Sequence, residues 1–245
     1  MKVFFIRHGE TLSNLKKIYY LTNNESITEN GNNQASLAGK YLKTFGKFDL
    51  VISSPAIRCI DTAKIIINEI NYKDNLIINN LIEEKINKKL KGLEGDELQN
   101  KFKKIKSKIP EKILEKIELY KNTNDPFIIK EISKKYSNKI NKFYGYDVLF
   151  KKHIIEFLNY LKTLDKKCIL VVTHGQHVQA ITNIITNTEI NYGMLKKTNF
   201  SILDKNYIGL PSEKIKPNGN TSVMACLLNN NKFELIIAPN TLHLS

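Results

Sequence analysis

The sequence predicts an α/β fold, a three-layer sandwich in which a mainly parallel sheet has helices on both faces and a helical cap insertion. Short apolar runs typical of strands alternate along the chain with longer segments whose apolar residues recur every three to four positions. Three of the apolar runs are continuous rather than alternating, which is typical of strands covered on both faces. This alternation implies parallel strands joined by right-handed crossovers.

The predicted strands are apolar runs bounded by polar turns. They cover residues 2–6, 48–53, 75–79, 168–173, 222–228 and 233–238. The runs at 2–6, 48–53 and 168–173 are the continuous ones, so we expect helices over both of their faces.

The predicted helices lie between these strands and show three-to-four spacing of their apolar residues. They cover residues 31–45, 56–70, 148–164 and 177–186. Pro55 suits the first turn of the second helix, because its fixed φ and missing N–H are tolerated there.

We expect one domain over residues 1–245, since a chain of this length can bury a full core. Between about 85 and 146 the pattern changes to lysine-rich, helix-like segments broken by Pro110 and Pro126. We interpret this stretch as a helical cap inserted over the binding crevice. The alternative is a solvated, charged helical region with no part in function.

Composition excludes several classes of protein. There are 38 basic and 24 acidic residues, a net charge of +14, but the lysines are scattered, so no specific nucleic-acid partner is expected. The three cysteines are odd in number, widely spaced and without a CxxC pair, which argues against disulfides and zinc sites. No apolar run resembles a signal peptide or a membrane span, so we expect a cytoplasmic protein with no membrane partner.

Arginine and histidine mark the ends of the predicted strands. The chain has only two arginines against 36 lysines, and Arg7 and Arg58 both follow strands within short polar motifs. A guanidinium binds oxyanions in a bidentate manner that lysine cannot reproduce. His8 follows Arg7, and His174 with Gly175 ends a third strand, where the next helix directs its first N–H groups at the same edge. These groups predict a phosphate site.

The motifs around these residues resemble those of the histidine phosphatases, also called the phosphoglycerate mutase-like superfamily, in its phosphatase branch. The resemblance covers nearly the whole chain apart from the insertion. The matching segments are RHGETLSN (7–14), ITENGNNQA (27–35), SSPAIRCIDTA (53–63), VVTHGQHV (171–178), PNGNTSV (217–223) and APNTLHL (238–244).

This resemblance implies the roles of the site residues. His8 would be the nucleophile, attacking phosphorus as a neutral imidazole to form a phosphohistidine. Arg7, Arg58 and a protonated His174 would hold the phosphoryl oxygens and balance the charge of the transition state. Asn14 would assist through its amide, and neither a metal nor another cofactor is required.

A leaving alkoxide needs a proton, so a carboxylic acid must also reach the site. In the family it comes from a leucine-x-Glu element, which residues 81–83 resemble, so Glu83 is our first choice. The neighbouring Glu84 and the later Glu94 remain alternatives, because the spacing to the following Glu-Gly differs from the family pattern.

The resemblance predicts a metal-independent phosphomonoester hydrolase acting on a small phosphorylated metabolite or a phosphoprotein, as a monomer or homodimer. One alternative is a phosphoglycerate mutase-type phosphotransferase. Against it, mutases of this family carry additional arginines in the cap, and residues 85–146 contain none. The other alternative is a noncatalytic phosphate-binding module that kept the fold.

Overall fold

A computed structural model describes residues 1–19, 22–84, 90–107, 110–123, 148–186 and 219–244. Its strands are β1 (Lys2–Arg7), β2 (Leu50–Ser53), β3 (Ile77–Ile78), β4 (Cys168–Thr173), β5 (Val223–Asn229) and β6 (Lys232–Asn240). They form one six-stranded sheet in the order β3-β2-β4-β1-β5-β6. The first four strands of this order run parallel, whereas β5 and β6 are antiparallel to their neighbours. The sheet is therefore mixed, and each of its strands overlaps a predicted apolar run.

The strand β3 is shorter than the predicted run at 75–79. It lies at the edge of the sheet, where its two isoleucines are 39% and 44% exposed. The chain then turns away, because the Asn79 side chain accepts a hydrogen bond from Leu81 N at 2.9 Å and caps a 3₁₀ turn at Asn80–Ile82. This local capping competes with further strand pairing.

The described helices are α1 (Leu12–Leu15), α2 (Glu29–Lys43), α3 (Ile57–Glu69), α4 (Gly95–Lys106), α5 (Glu111–Thr123), α6 (Val148–Lys162) and α7 (Gly175–Ile185). None of the helices in the described ranges is long and apolar enough to cross a membrane.

Helix boundaries differ slightly from the prediction for physical reasons. The helix α2 begins two residues early, because the Thr28 hydroxyl accepts a hydrogen bond from Gly31 N at 3.0 Å and serves as N-cap. The N-cap of α3 is Ala56, so Pro55 lies before the helix rather than in its first turn, and that detail of the prediction is wrong.

Helices cover both faces of the sheet, as the continuous apolar strands predicted. On one face α6 and α7 pack on the sheet, with Phe157 in the same buried cluster as Phe5. On the other face α2 and α3 do so, with Ile66 in the same cluster as Phe4. Successive residues of β1 thus enter two different cores, since strand side chains alternate between faces. The strands β2 and β4 are consequently buried throughout.

The register of the parallel strands aligns their carboxyl ends. Arg7 at the end of β1 lies opposite Thr173 at the end of β4, and Ser53 at the end of β2 lies opposite Val172. The residues that follow these strands must therefore emerge at the same edge of the sheet.

Part of the predicted cap insertion at 85–146 is described, and it contains α4 and α5. Residues 85–89, 108–109 and 124–146 of that insertion lie outside the described residues. Leu90 and Ile113 are buried, so the described part of the insertion is not a purely solvated charged region. The cap boundaries remain a prediction.

Candidate active site

The predicted arginines and histidines of the site come together at the carboxyl edge of β1, β2 and β4. Backbone hydrogen bonds join these strand ends: His8 N donates to Thr173 O at 2.9 Å, and Ser54 N donates to Val172 O at 3.0 Å. The imidazole rings of His8 and His174 consequently lie 5.5 Å apart between centroids. Two segments 166 residues apart in sequence are thus held in one site.

The His8 ring is buried and has a defined tautomer. Its Nδ1 lies 2.8 Å from the carbonyl oxygen of Gly9, which can only accept, so Nδ1 is protonated and Nε2 keeps its lone pair. Burial, followed by the positive charges of Arg7, His174 and Arg58, holds the pKa of His8 well below its usual range. The neutral imidazole of His8, with an unprotonated Nε2, is therefore favoured.

The turn after His8 is fixed by close packing. Gly9 N donates to the Thr62 hydroxyl at 2.9 Å, and that hydroxyl donates to Arg58 O at 2.7 Å. A Cβ on Gly9 would lie 2.6 Å from the carbonyl oxygen of Gly31, so only glycine allows this approach. Thr62 belongs to the motif at 53–63, but only the structure shows that it joins two segments of the site.

Arg58 is a buried guanidinium with several acceptors. Its NH1 donates to Thr22 O at 3.1 Å, and its NH2 lies 2.5 Å from Glu84 Oε2 and 3.5 Å from His174 Nδ1. Only 3% of its side chain is exposed. Its geometry is therefore fixed before any phosphate arrives.

Arg7 adds the second guanidinium at the end of β1, with its backbone N–H bound to Ser222 O at 3.1 Å. Burial lowers the pKa of Arg7 to about 10, the negative charge of Glu84 opposing this effect and the positive charge of Arg58 adding to it. The side chain remains charged at neutral pH, so the site contains two fixed cations.

His174 is fully buried at the N-cap of α7. Its Nε2 lies 2.8 Å from Ser54 Oγ, and its Nδ1 lies 3.5 Å from Glu84 Oε2. Burial, followed by the charges of Arg58 and Arg7, holds the pKa of His174 well below its usual range. The neutral form is thus favoured, and the protonated His174 expected from the sequence requires the negative charge of a phosphoryl group to offset these effects.

Asn14 belongs to the short helix α1. Its Oδ1 accepts a hydrogen bond from Thr11 N at 3.3 Å, while the Thr11 hydroxyl accepts one from Asn14 N, which forms a capping box. This contact orients the amide, so that Nδ2 is the donor end in the cleft that Asn14 lines.

The structure separates the candidate acids. Glu84 reaches Arg58 and His174 and lines the cleft, whereas Glu83 Oε1 accepts a hydrogen bond from Asn23 Nδ2 at 2.9 Å and lies outside that lining. Glu94 is exposed and likewise lies outside it. A sequence signal could have identified Glu84. Residues 82–84 form an isoleucine-x-Glu element with the same spacing as the leucine-x-Glu element at 81–83, and Ile82 is the buried apolar residue.

A cleft of about 290 Å³ joins these groups, and Gly175 at the start of α7 contributes to its wall. The first N–H groups of a helix have no partner within it, which favours an anion at this position. Further lining residues were not predicted from the sequence: Ser13, Ile18, Tyr19, Glu25 and Gln176.

Glu25 holds the loop after β1 in place. Its carboxylate accepts hydrogen bonds from Ser13 N at 2.7 Å and Ser13 Oγ at 2.9 Å. No sequence pattern indicates this contact, because the pairing depends on how the loop folds back. Among the residues that the structure describes, no three His, Cys, Asp or Glu side chains cluster as potential metal ligands.

His177 lies one turn further along α7 than His174. It is buried against Phe150 of α6, with ring centroids 5.0 Å apart, and it lies outside the lining of the cleft.

Known proteins are similar to this chain in sequence and in fold. The family model of the histidine phosphatase superfamily (branch 1) matches residues 3–115, which include Arg7, His8, Arg58 and Glu84. A 2,3-bisphosphoglycerate-dependent phosphoglycerate mutase from Bartonella quintana (strain Toulouse) is 34% identical over 99 residues, or 40% of this chain and 48% of the mutase. A broad-specificity phosphatase from Saccharomyces cerevisiae is 40% identical over 68 residues, or 27% of this chain and 30% of that protein. The chain thus matches about half the length, or less, of these curated relatives.

Solved structures extend the likeness in fold to the whole chain. The crystal structure of phosphoglycerate mutase from Bacillus anthracis str. Sterne aligns with a TM-score of 0.65 at 16% identity, covering 100% of this chain and 95% of that one. At this identity the likeness concerns the fold alone, and it confirms the predicted α/β class. Over residues 3–115, the family model confirms the resemblance to the histidine phosphatase superfamily that the sequence motifs indicated.

Proposed function

We propose that this protein is a metal-independent phosphomonoester hydrolase that acts through a phosphohistidine at His8. The observation that supports it most is the state of that ring, which is neutral, buried and hydrogen-bonded so that Nε2 is the nucleophilic nitrogen. Arg58, Glu84 and His174 lie around it in mutual contact. A positioned nucleophile beside an arginine, a carboxyl group and a second imidazole is the equipment that phosphoryl transfer needs.

Phosphate binding would use donors that are already in place. The guanidinium groups of Arg7 and Arg58 and the amide of Asn14 line one cleft with Gly175 at the start of α7. These groups supply positive charge where the transferring phosphoryl oxygens develop negative charge, so the proposed chemistry needs no metal ion. Glu84 occupies one Arg58 donor, and an incoming phosphate would compete with it for that position.

The reaction would proceed in two steps. In the first, His8 Nε2 attacks phosphorus, the bond from phosphorus to the ester oxygen breaks, and the Glu84 carboxyl group protonates the leaving alkoxide. In the second, Glu84 takes a proton from water, which attacks the phosphohistidine and releases inorganic phosphate. The second step restores the proton that Glu84 lost and frees the His8 nitrogen that the first step phosphorylated, so no co-reactant besides water is consumed.

The matched relatives include mutases as well as phosphatases, so transfer to another hydroxyl is the second candidate. Both activities share the phosphohistidine and differ in which acceptor removes the phosphoryl group. The lack of arginine in residues 85–146 favours water as the acceptor, because lysine does not replace a bidentate carboxylate clamp.

The test is release of inorganic phosphate from para-nitrophenyl phosphate, phosphoglycerates and sugar bisphosphates in the presence of EDTA. We expect release that the chelator does not diminish. Interconversion of phosphoglycerates without net phosphate release would instead establish the mutase, and activity that EDTA removes would contradict the metal-independent chemistry. Tight phosphate binding with neither reaction would support the noncatalytic module.

Arg58→Lys should lower kcat/KM by about 10²-fold, because it keeps the charge but removes the planar fork that contacts Thr22, Glu84 and His174. Phosphate release measured with the aryl substrate checks this. The matched control is Lys64→Arg, the reverse exchange on the exposed side of α3, which should leave kcat/KM unchanged. Wild-type kinetics in Arg58→Lys would contradict the bidentate role.

We also infer that the protein works in the cytoplasm. Cys59, Cys168 and Cys226 are all buried and unpaired. Unpaired cysteines without a disulfide framework are typical of proteins in reducing compartments.

A further inference from the structure

A second, more open pocket of about 420 Å³ adjoins the phosphate cleft and shares Arg7 and Asn14 with it. Its outer wall includes Lys17, Tyr19 and Leu98. A phosphomonoester whose phosphoryl group lies between His8 and the arginines must extend its alcohol part out of that cleft. The shared boundary makes this second pocket, the outer pocket, the place where the alcohol part would lie.

Lys17 occupies an unusual backbone position in the wall of the outer pocket. It follows the C-cap of α1 with a φ of 56°, in the left-handed region. Lys17 N donates to Asn14 O at 3.2 Å, and Ile18 N donates to Ser13 O at 2.9 Å. These two bonds form a Schellman motif, in which the left-handed residue is usually glycine because a Cβ is unfavourable there.

A lysine at this position therefore does not serve the local fold, which glycine would favour. Non-glycine residues in strained backbone regions concentrate at functional sites, where the side chain itself is needed. At this strained position the side chain is the Lys17 ammonium, a cation in the wall of a pocket next to the proposed phosphate site.

The wall that includes Lys17 and Tyr19 is held against the cap insertion. Tyr19 N donates to Leu93 O and Gly92 N donates to Tyr19 O, both at 2.9 Å. This reciprocal pair joins the loop after α1 to the segment that leads into α4, and α4 contributes buried Leu98 to the same pocket. The outer pocket is thus built from the loop and the cap together.

The charge of the outer pocket is one-sided. Of its described lining residues, Arg7 and Lys17 are cationic and none is acidic. Lys17 also has no carboxylate within ion-pair distance among the residues that the structure describes. Such a pocket attracts a second negative charge and disfavours a cationic alcohol part.

We propose that Lys17 is a specificity-determining residue, which selects phosphomonoesters whose alcohol part has a second anionic group, either a carboxylate or a phosphate. This inference rests on the proposed function, because it places the phosphoryl group of the substrate beside His8. The Lys17 ammonium then binds the far end of the same molecule, while Tyr19 and Leu98 contact its carbon body.

The experiment compares substrates that differ only at the far end. One pair is 3-phosphoglycerate and glycerol 3-phosphate, and the other is propane-1,3-diol bisphosphate and its monophosphate. Lys17→Asn should lower kcat/KM by about fivefold for whichever doubly anionic substrate is selected, and should leave kcat/KM for the counterpart without the second anionic group unchanged. The two pairs distinguish a carboxylate from a phosphate. Asparagine tolerates the left-handed backbone, so the fold is preserved.

The matched controls are Lys16→Asn and Lys17→Arg. Lys16 is exposed, adjacent in sequence and outside the lining of the outer pocket, so its replacement should leave the preference intact. Lys17→Arg retains the charge and should retain the preference. Rising salt should narrow the wild-type preference, because the contact is solvent-exposed. An equal loss for both members of each pair, or an equal loss in Lys16→Asn, would overturn the proposal.

Binding to the His8→Ala protein separates this inference from the proposed function. Calorimetric dissociation constants for the same substrate pairs are measured with and without Lys17→Asn. If the wild type shows no turnover but Lys17 still determines the binding preference in the His8→Ala protein, the proposed hydrolase is wrong and the assignment of Lys17 stands. If turnover is present and the preference is absent or independent of Lys17, the assignment of Lys17 is wrong and the hydrolase stands.

Discussion

Replacing His8 with alanine should reduce phosphate release by roughly 10⁴- to 10⁶-fold, because it removes the atom that bonds to phosphorus. Among the residues that the structure describes, neither His174 nor Cys59 is placed to substitute for it. His174 Nε2 is 2.8 Å from Ser54 Oγ, and Cys59 is a buried thiol whose pKa burial raises to about 12. The fold should survive, since the backbone bonds of residue 8 to Thr173 and Thr221 do not need the imidazole.

The measurement is phosphate release together with trapping of the phosphoenzyme. A phosphoramidate is labile in acid and stable in base, which distinguishes phosphohistidine from a phosphoserine or phosphothreonine. We expect an acid-labile phosphoenzyme in the wild type and none in His8→Ala. His153→Ala, on α6 and outside the cleft, should behave as the wild type. A phosphoenzyme that persists in His8→Ala would place the nucleophile elsewhere.

Replacing Glu84 with glutamine should lower kcat/KM on an alkyl phosphate by about 10²- to 10⁴-fold, the range for loss of a general acid. The loss of kcat/KM on an aryl phosphate should be much smaller, because kcat/KM reports only the first step and a phenolate leaves without full protonation. Glutamine keeps the shape of Glu84 and a hydrogen bond to Arg58, so the effect reports the lost proton rather than a lost contact.

Glu83→Gln is the matched control, since Glu83 precedes Glu84 and contacts Asn23 instead of the site. Its rates on both substrates should stay close to those of the wild type. The reverse result, with the alkyl-specific loss in Glu83→Gln, would restore Glu83 as the acid and show that the segment adopts a different register when substrate binds. Equal losses on alkyl and aryl phosphates in Glu84→Gln would point to phosphate binding rather than proton transfer.

The fold followed from the sequence because its signals are local and repeated. Continuous apolar runs such as 168–173 need cover on both faces, and the structure provides helices there. The short helix α1 was missed, since four residues are too few to show helical periodicity, and its capping box depends on Thr11 and Asn14 meeting in space.

Six residues selected from the sequence lie at the carboxyl edge of the sheet, in or beside one cleft. They are Arg7, His8, Asn14, Arg58, His174 and Gly175. The order of parallel strands makes such an edge predictable from strand-end motifs alone. Their proposed roles in catalysis and binding remain predictions that the experiments above test.

What the sequence by itself determined was the α/β class, the resemblance to the histidine phosphatases and the residues at strand ends, because strand ends are defined by local apolar patterns and motif order. What only the tertiary structure decided was which neighbouring side chain faces the site. Glu83 and Glu84 are adjacent and chemically alike, and burial of Ile82 in the core directs Glu84 to Arg58. Likewise, Lys17 enters the wall of the outer pocket because α1 ends in a Schellman motif. Such directions depend on packing between distant segments, which one-dimensional spacing does not contain.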